Sequence, residues 1–153
     1  MATDPRPRLV LLNGPNLDLL GEREPEIYGT DRLEDHVRRA REAATWLGAD
    51  LEVAVAQSAG RMVELIHAAR GTADALIVNP GALTHFAWSV HDALAAFDGP
   101  VVEVHLSNPA TREPWRHESV VAPVASGTIA GFGAPSYVFA VHAAVTLLRE
   151  RRA

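Results

Sequence analysis

Two short stretches, EVHLSN (103–108) and GEREPEIYG (21–29), hold the side chains best suited to chemistry. Glu103 and His105 lie two residues apart, and on an extended strand that spacing turns both side chains to one face. A carboxylate beside an imidazole fixes the ring's orientation and suits it to donate a proton. An incidental pair at a strand end is the competing reading. Ser107 and Asn108 follow directly, where the backbone leaves the strand. A hydroxyl, an amide and freed backbone N–H groups together suit a carboxylate ligand.

The second stretch is polar, bracketed by Gly21 and Gly29, and interrupted by Pro25, which argues for a loop. It carries Arg23 and Tyr28. A phenol is a poor base at neutral pH, but a guanidinium beside it stabilises the phenolate. The pair can form a base assembled when the loop closes. A solvated arginine and a packed tyrosine is the plainer alternative, and the stretch alone favours it. Glycines at both ends give the loop its freedom to move.

Composition removes whole classes of mechanism. The 153 residues include no cysteine, which excludes disulfides, thiolate nucleophiles and Cys-based zinc sites. All 14 basic residues are arginine, so no Schiff-base lysine and no phosphate-loop lysine exist. The seven histidines show no HxxxH or HExxH spacing, so no metal site is expected. No glycine-rich nucleotide loop follows a strand, and the NGPN turn at 13–16 is not a phosphate cradle. Metal-free acid–base catalysis without a cofactor remains. A net charge of −5 argues against nucleic acid, and no apolar run is long enough to span a membrane. The polar N-terminus lacks the apolar stretch of a signal peptide, and a cytoplasmic location is expected.

Short apolar runs alternate with helical patterns. RLVLL (8–12), LEVAVAQ (51–57), ALIVN (75–79), VVEVHL (101–106) and part of SGTIAGFG (126–133) read as strands. Leu33, Val37, Ala40, Ala44 and Leu47 share one helical face within 31–48, with Asp31 and Glu34 as a capping box. Helices are also expected over 62–70, from Thr84 as cap to about Phe97, and from Pro135 to the Arg-rich end. Repeated β-α units with continuous apolar strands predict a flavodoxin-like, doubly wound, five-stranded parallel sheet with helices on both faces. Residues 1–7 are expected to be a disordered tail and 8–153 a single catalytic domain. Ligands of such sheets sit beyond the strand carboxyl ends. Asn13, Asn16, Gln57, Ser58, Asn79, His85, His105, Ser107 and Asn108 fall there, which predicts one small-molecule site. Arg112 and Arg116, in an irregular segment beyond, earn little weight, because such arginines are usually solvated.

NGPNLDLLGEREPEIYG, NPGALTH, EVHLSNPATREPWRHES and GTIAGFG, in that order and spacing, resemble type II 3-dehydroquinate dehydratase from about residue 9 to 145. The resemblance implies a cofactor-free, reversible dehydration of 3-dehydroquinate to 3-dehydroshikimate through an enolate. It implies Tyr28 as base, Arg23 as its activator, Asn16 holding a water against the enolate oxygen, His105 as acid and Glu103 as its orienting carboxylate. Asn79, Ser107 and the backbone at Leu106 match the substrate-carboxylate site. His85 and Arg116 match groups on the ring hydroxyls, and Asp92 a carboxylate reaching a neighbouring subunit's site. Trimers packed into a dodecamer are the implied assembly.

The chain departs from the family pattern at three places. QSAGRMVE lacks a usual polar pair and a capping-box-like helix start, Phe86-Ala87 replaces Thr-Ser, and His91 stands where arginine is common. These departures motivate an alternative: a non-catalytic or divergent paralogue that binds a cyclic polyhydroxy acid. A related lyase acting on another hydroxylated ketoacid is a third reading.

Overall fold

The computed structural model describes residues 4–153. Strands β1 (Arg8–Asn13), β2 (Asp50–Val55), β3 (Ala75–Asn79), β4 (Val101–His105) and β5 (Gly127–Ala130) form a five-stranded sheet of order β2-β1-β3-β4-β5. Every pairing is parallel. β3 and β4 are buried at every residue, because strands flank them and helices cover both faces. That is why their sequences are continuous apolar runs without alternation. At the edge, β2 is partly exposed, and its sequence tolerates Asp50 and Glu52.

The helices are α1 (Pro25–Tyr28), α2 (Leu33–Trp46), α3 (Ala59–Ala69), α4 (Trp88–Ala95) and α5 (Ser136–Arg152). Two hydrophobic cores result. One packs Leu33, Ala40 and Ala44 of α2 and Ala140, Val141 and Ala144 of α5 against Leu9, Leu11 and Ile77. The other packs Met62 and Ile66 of α3 and Val90 and Leu94 of α4 against Leu12, Leu76 and Val78. The doubly wound sheet expected from the pattern is therefore the architecture observed.

Several local expectations are corrected. The stretch 21–29 is not wholly irregular, since Pro25–Tyr28 makes one helical turn with proline in its first turn. The cap of α2 shifts by one residue: the Arg32 backbone N–H donates to Asp35 (3.0 Å), and Asp31 pairs with Arg39 instead. Helix α3 starts at Ala59, three residues earlier than the predicted 62, because Ser58 caps it by accepting from the Arg61 N–H (3.1 Å). QSAGRM thus keeps a capped helix start. Thr84 caps no helix. It lies in a 3-10 turn (Gly81–His85), and α4 begins only at Trp88. Of the expected tail, residues 1–3 lie outside the described residues, while Arg6 hydrogen-bonds Asp50 and Pro7 accepts from the Asp50 N–H. Among the described residues no helix is long and apolar enough to cross a membrane.

Candidate active site

Because all strands run one way, their carboxyl ends open onto one rim, where the loops after β1, β3 and β4 enclose a cavity of about 190 Å³. Asn16, Arg23, Tyr28, Asn79, His85, His105, Leu106, Ser107, Arg112 and Arg116 line it. A larger groove of about 700 Å³ lies along the outside of α2 between Leu33 and Trp46, but it is open, and its charged groups, Glu34, Arg38, Arg41 and Glu42, are exposed on one helix, with no histidine or tyrosine among them. The reactive groups are in the smaller, more enclosed space.

Close loop contact builds its floor. The Gly14 N–H donates to the Asn79 carbonyl (2.7 Å), and a Cβ on Gly14 would sit 2.2 Å from the Pro80 oxygen. Only glycine permits that approach. Asn16 has φ +67°, a left-handed conformation that asparagine tolerates better than most residues. Its N–H donates to the Gln57 side chain (3.0 Å), so the loop after β2 helps to orient it.

Glu103 and His105 stand on the same side of β4, as their spacing requires. The imidazole Nε2 lies 2.6 Å from Glu103 Oε2. Glu103 is 1% exposed, yet its oxygens are satisfied: Thr84 donates at 2.8 Å and Ser119 at 3.0 Å. Burial, the largest influence, pushes this carboxyl up. The bond and charge of His105, with the Thr84 and Ser119 hydroxyls, outweigh it and hold the pKa below the ordinary 4.5. Glu103 is thus an anion, an acceptor only, and Nε2 must carry a hydrogen. Nδ1 is the nitrogen left for the cavity. Ser119 is itself fixed, accepting from the N–H groups of Val121 (3.1 Å) and Ala122 (3.0 Å).

His85 is polarised the opposite way. Its Nδ1 lies 2.7 Å from the Glu118 carbonyl, which can only accept, so Nδ1 carries the hydrogen. Burial, only partly offset by that bond, lowers its pKa from 6.5. The ring is neutral at pH 7 and leaves Nε2 as an acceptor, the polarity a ligand hydroxyl needs. Trp115 stands edge-on to it at 5.4 Å, and the Arg116 guanidinium lies 3.9 Å over the Trp115 ring. Arg116 also donates to Glu113 (2.6 Å).

Tyr28 has two guanidinium neighbours. Arg23 and Arg112 each lie 5.1 Å from the centre of its ring. The group on the phenol oxygen, however, is Arg112, whose Nη1 donates at 2.6 Å. Arg23 instead pairs with Glu24 (3.1 Å). Arg23, expected as the activator, therefore stands against the ring, while the hydrogen bond to the phenol oxygen comes from Arg112. A guanidinium has no acceptor, so the phenol oxygen accepts from Arg112 and its own hydrogen is free to point elsewhere. Sequence reasoning passed over Arg112 because 84 residues separate it from Tyr28, and an arginine in an irregular segment reads as solvated. Its side chain is in fact 9% exposed.

Asn79 lies at the end of β3, buried against Tyr137. Leu106 and Ser107 line the cavity just past β4, whereas Asn108 turns away to cap the Pro109–Thr111 turn. Asn13 is buried beneath the floor. Asp92 lies on the exposed side of α4 and does not line this chain's cavity. His91 holds the Val120 carbonyl through Nδ1 (2.6 Å). Among the described residues no group of three or more His, Cys, Asp or Glu could hold a metal ion.

A family model described as Dehydroquinase class II matches residues 7–145. The chain is 48% identical over 141 residues to a 3-dehydroquinate dehydratase of Desulforudis audaxviator, covering 92% of this chain and 94% of that protein. It is 45% identical over 143 residues to a catabolic 3-dehydroquinase of Aspergillus clavatus, covering 94% and 95%. Among solved structures, type II dehydroquinase from Propionibacterium acnes superposes with a TM-score of 0.87 at 41% identity, covering 93% and 99%. That from Butyrivibrio crossotus gives 0.88 at 35% identity, covering 90% and 97%.

Proposed function

The chain belongs to the class II dehydroquinase family, and from that premise we propose that it catalyses the reversible, cofactor-free dehydration of 3-dehydroquinate to 3-dehydroshikimate. Tyr28, as phenolate, takes a proton from the carbon alpha to the ketone. The charge moves to the ketone oxygen as an enolate, against which Asn16 holds a water. The enolate then collapses and expels the β-hydroxyl. His105 protonates that leaving group, so one water is lost and a conjugated enone forms. Glu103 keeps the imidazole aligned for the transfer.

The observation that carries this reading is the pairing of opposite chemistries in one cavity. A phenol oxygen accepts from a guanidinium at 2.6 Å, and an imidazole is held by a carboxylate at 2.6 Å. Fixed positive charge beside Tyr28 favours an anion there, and fixed negative charge beside His105 favours a donor there. Arg112 joins Arg23 as an activating group. Asn79, Ser107 and the backbone at Leu106 take the substrate carboxylate, and His85 and Arg116 take ring hydroxyls.

The chain also acts as a homo-oligomer, trimers within a dodecamer. Phe86 and Trp88, each 63% exposed, flank the start of α4 near Asp92, an apolar surface suited to a subunit contact. Asp92 there reaches toward a neighbouring copy's cavity, and light scattering at assay concentration checks the assembly.

Purified protein mixed with 3-dehydroquinate should produce rising ultraviolet absorbance from the conjugated product. Borohydride should not inactivate it, because no imine forms, and Tyr28→Phe should abolish the signal while keeping the fold. No turnover by the unaltered protein on 3-dehydroquinate would overturn the proposal.

A further inference from the structure

We infer that Tyr137 is a positioning residue for substrate-carboxylate binding, fixing which way the Asn79 amide is polarised. The inference rests on the reading of the cavity given above. Tyr137 belongs to α5, lies under the cavity rather than in it, and is 1% exposed.

Four hydrogen bonds run in series beneath the floor. The Asn13 amide nitrogen donates to the Ala54 carbonyl (3.3 Å), and Tyr137 donates to the Asn13 amide oxygen (2.6 Å). The Asn79 amide nitrogen donates to the Tyr137 oxygen (3.0 Å), and the Gly81 N–H donates to the Asn79 amide oxygen (3.2 Å). Both ends of the series are backbone groups of unambiguous polarity. A carbonyl can only accept and an N–H can only donate. Asn13 must therefore turn its nitrogen to Ala54 and its oxygen to Tyr137. The single phenolic hydrogen is then committed to Asn13, and the phenol oxygen is left to accept. Asn79 has to meet it with nitrogen, which agrees with the demand of Gly81 at its other end.

The consequence appears on the cavity side. The Asn79 nitrogen has two hydrogens, one given to Tyr137, so the hydrogen remaining to the residue that lines the cavity is a donor. A donor beside Ser107 recognises a carboxylate. Without the Tyr137 acceptor, the single bond from Gly81 (3.2 Å) is all that holds the amide, and each turn of it presents oxygen to that carboxylate and repels it. A phenylalanine at 137 would keep the packing against His36 but delete both the donor to Asn13 and the acceptor for Asn79.

The test is steady-state kinetics on 3-dehydroquinate with Tyr137→Phe, Asn79→Ala and the double variant. Loss of one oriented hydrogen bond to an anion should raise KM about 10-fold, with kcat changed less than about 3-fold. Because Tyr137 acts through Asn79, the double variant should have the KM of Asn79→Ala, not the product of the two effects. If Tyr137→Phe leaves KM unchanged, or if the KM effects multiply, Tyr137 is only core packing and the inference fails. Should Tyr137→Phe not fold, Asn13→Ala frees the phenolic hydrogen and should raise KM the same way, and an unchanged KM there also overturns the inference. Failure of the unaltered protein to turn over would instead remove the reading of the cavity, so the two failures are distinguishable.

Discussion

Replacing Arg112 by methionine isolates the contact that links the loop after β4 to the helical turn at Tyr28. Methionine keeps an unbranched stem of similar length and removes only the charge and the donors. The contact is short, 2.6 Å, and the arginine side chain is 9% exposed, so solvent does little to screen it. At an effective dielectric of about 20, a full charge pair at that distance is worth about 6 kcal/mol before desolvation. Mutational series place hydrogen bonds to charged groups lower, at about 1.5–3 kcal/mol net. The remaining guanidinium, Arg23, at 5.1 Å from the ring, keeps part of the field. A loss of about 2–3 kcal/mol of transition-state stabilisation follows, or about 30–150-fold in kcat. KM should change little, because the anion exists in the reacting state more than in the bound ground state. Arg112→Lys should recover part of the loss, since it restores charge but not the planar fork. The assay is product absorbance under saturating substrate, with circular dichroism to confirm the fold. A kcat within about 3-fold of the unaltered protein, or a loss confined to KM, would refute the view that Arg112 stabilises a phenolate.

Three further outcomes follow from the same geometry. Glu103→Gln puts an amide where Thr84, Ser119 and His105 all donate, so kcat should fall at least about 100-fold, and stopped-flow absorbance will show whether it does. Gly14→Ala forces a Cβ to within 2.2 Å of the Pro80 oxygen, and urea unfolding should register a loss of about 2 kcal/mol or more; an unchanged midpoint would mean the two loops part freely. His36 is 1% exposed, and burial, outweighing the opposing influence of Asp31, Asp35 and a backbone contact at Ala134, lowers its pKa from 6.5. Below that value the unfolded chain takes up a proton that the folded chain refuses, so stability falls as pH drops from 6.5 toward the folded pKa, by at most about 1.4 kcal/mol per pH unit. His36→Phe should flatten that stretch of the stability–pH curve, leaving the share of His85, and an identical slope would clear His36 of the effect.

The sheet was legible because burial on both faces demands continuous apolar runs, and ALIVN and VVEVH can satisfy no other environment as well. The Glu103–His105 pair was legible for a local reason: a period of two on a strand fixes which side chains share a face. The loop 21–29 was legible from its glycines and proline, though not its single helical turn, which proline's fixed φ favours at the start. Boundaries that depend on a side chain choosing among partners were less so. Thr84 has the sequence of a helix cap, yet a buried carboxylate one strand away competes for its hydroxyl and wins.

By itself, then, the sequence determined the doubly wound sheet, the rim that gathers the polar residues, the carboxylate–imidazole pair, and the exclusion of lysine and cysteine chemistry. All of these rest on residue type and short-range period. Only the tertiary structure decided that Arg112 rather than Arg23 bonds the Tyr28 oxygen, that Thr84 and Ser119 hold Glu103, and that Tyr137 polarises Asn79 from below. These contacts join residues 84, 19, 16 and 58 positions apart. No propensity or spacing rule reaches that far, because what brings such side chains together is the packing of whole strands and helices around a shared core.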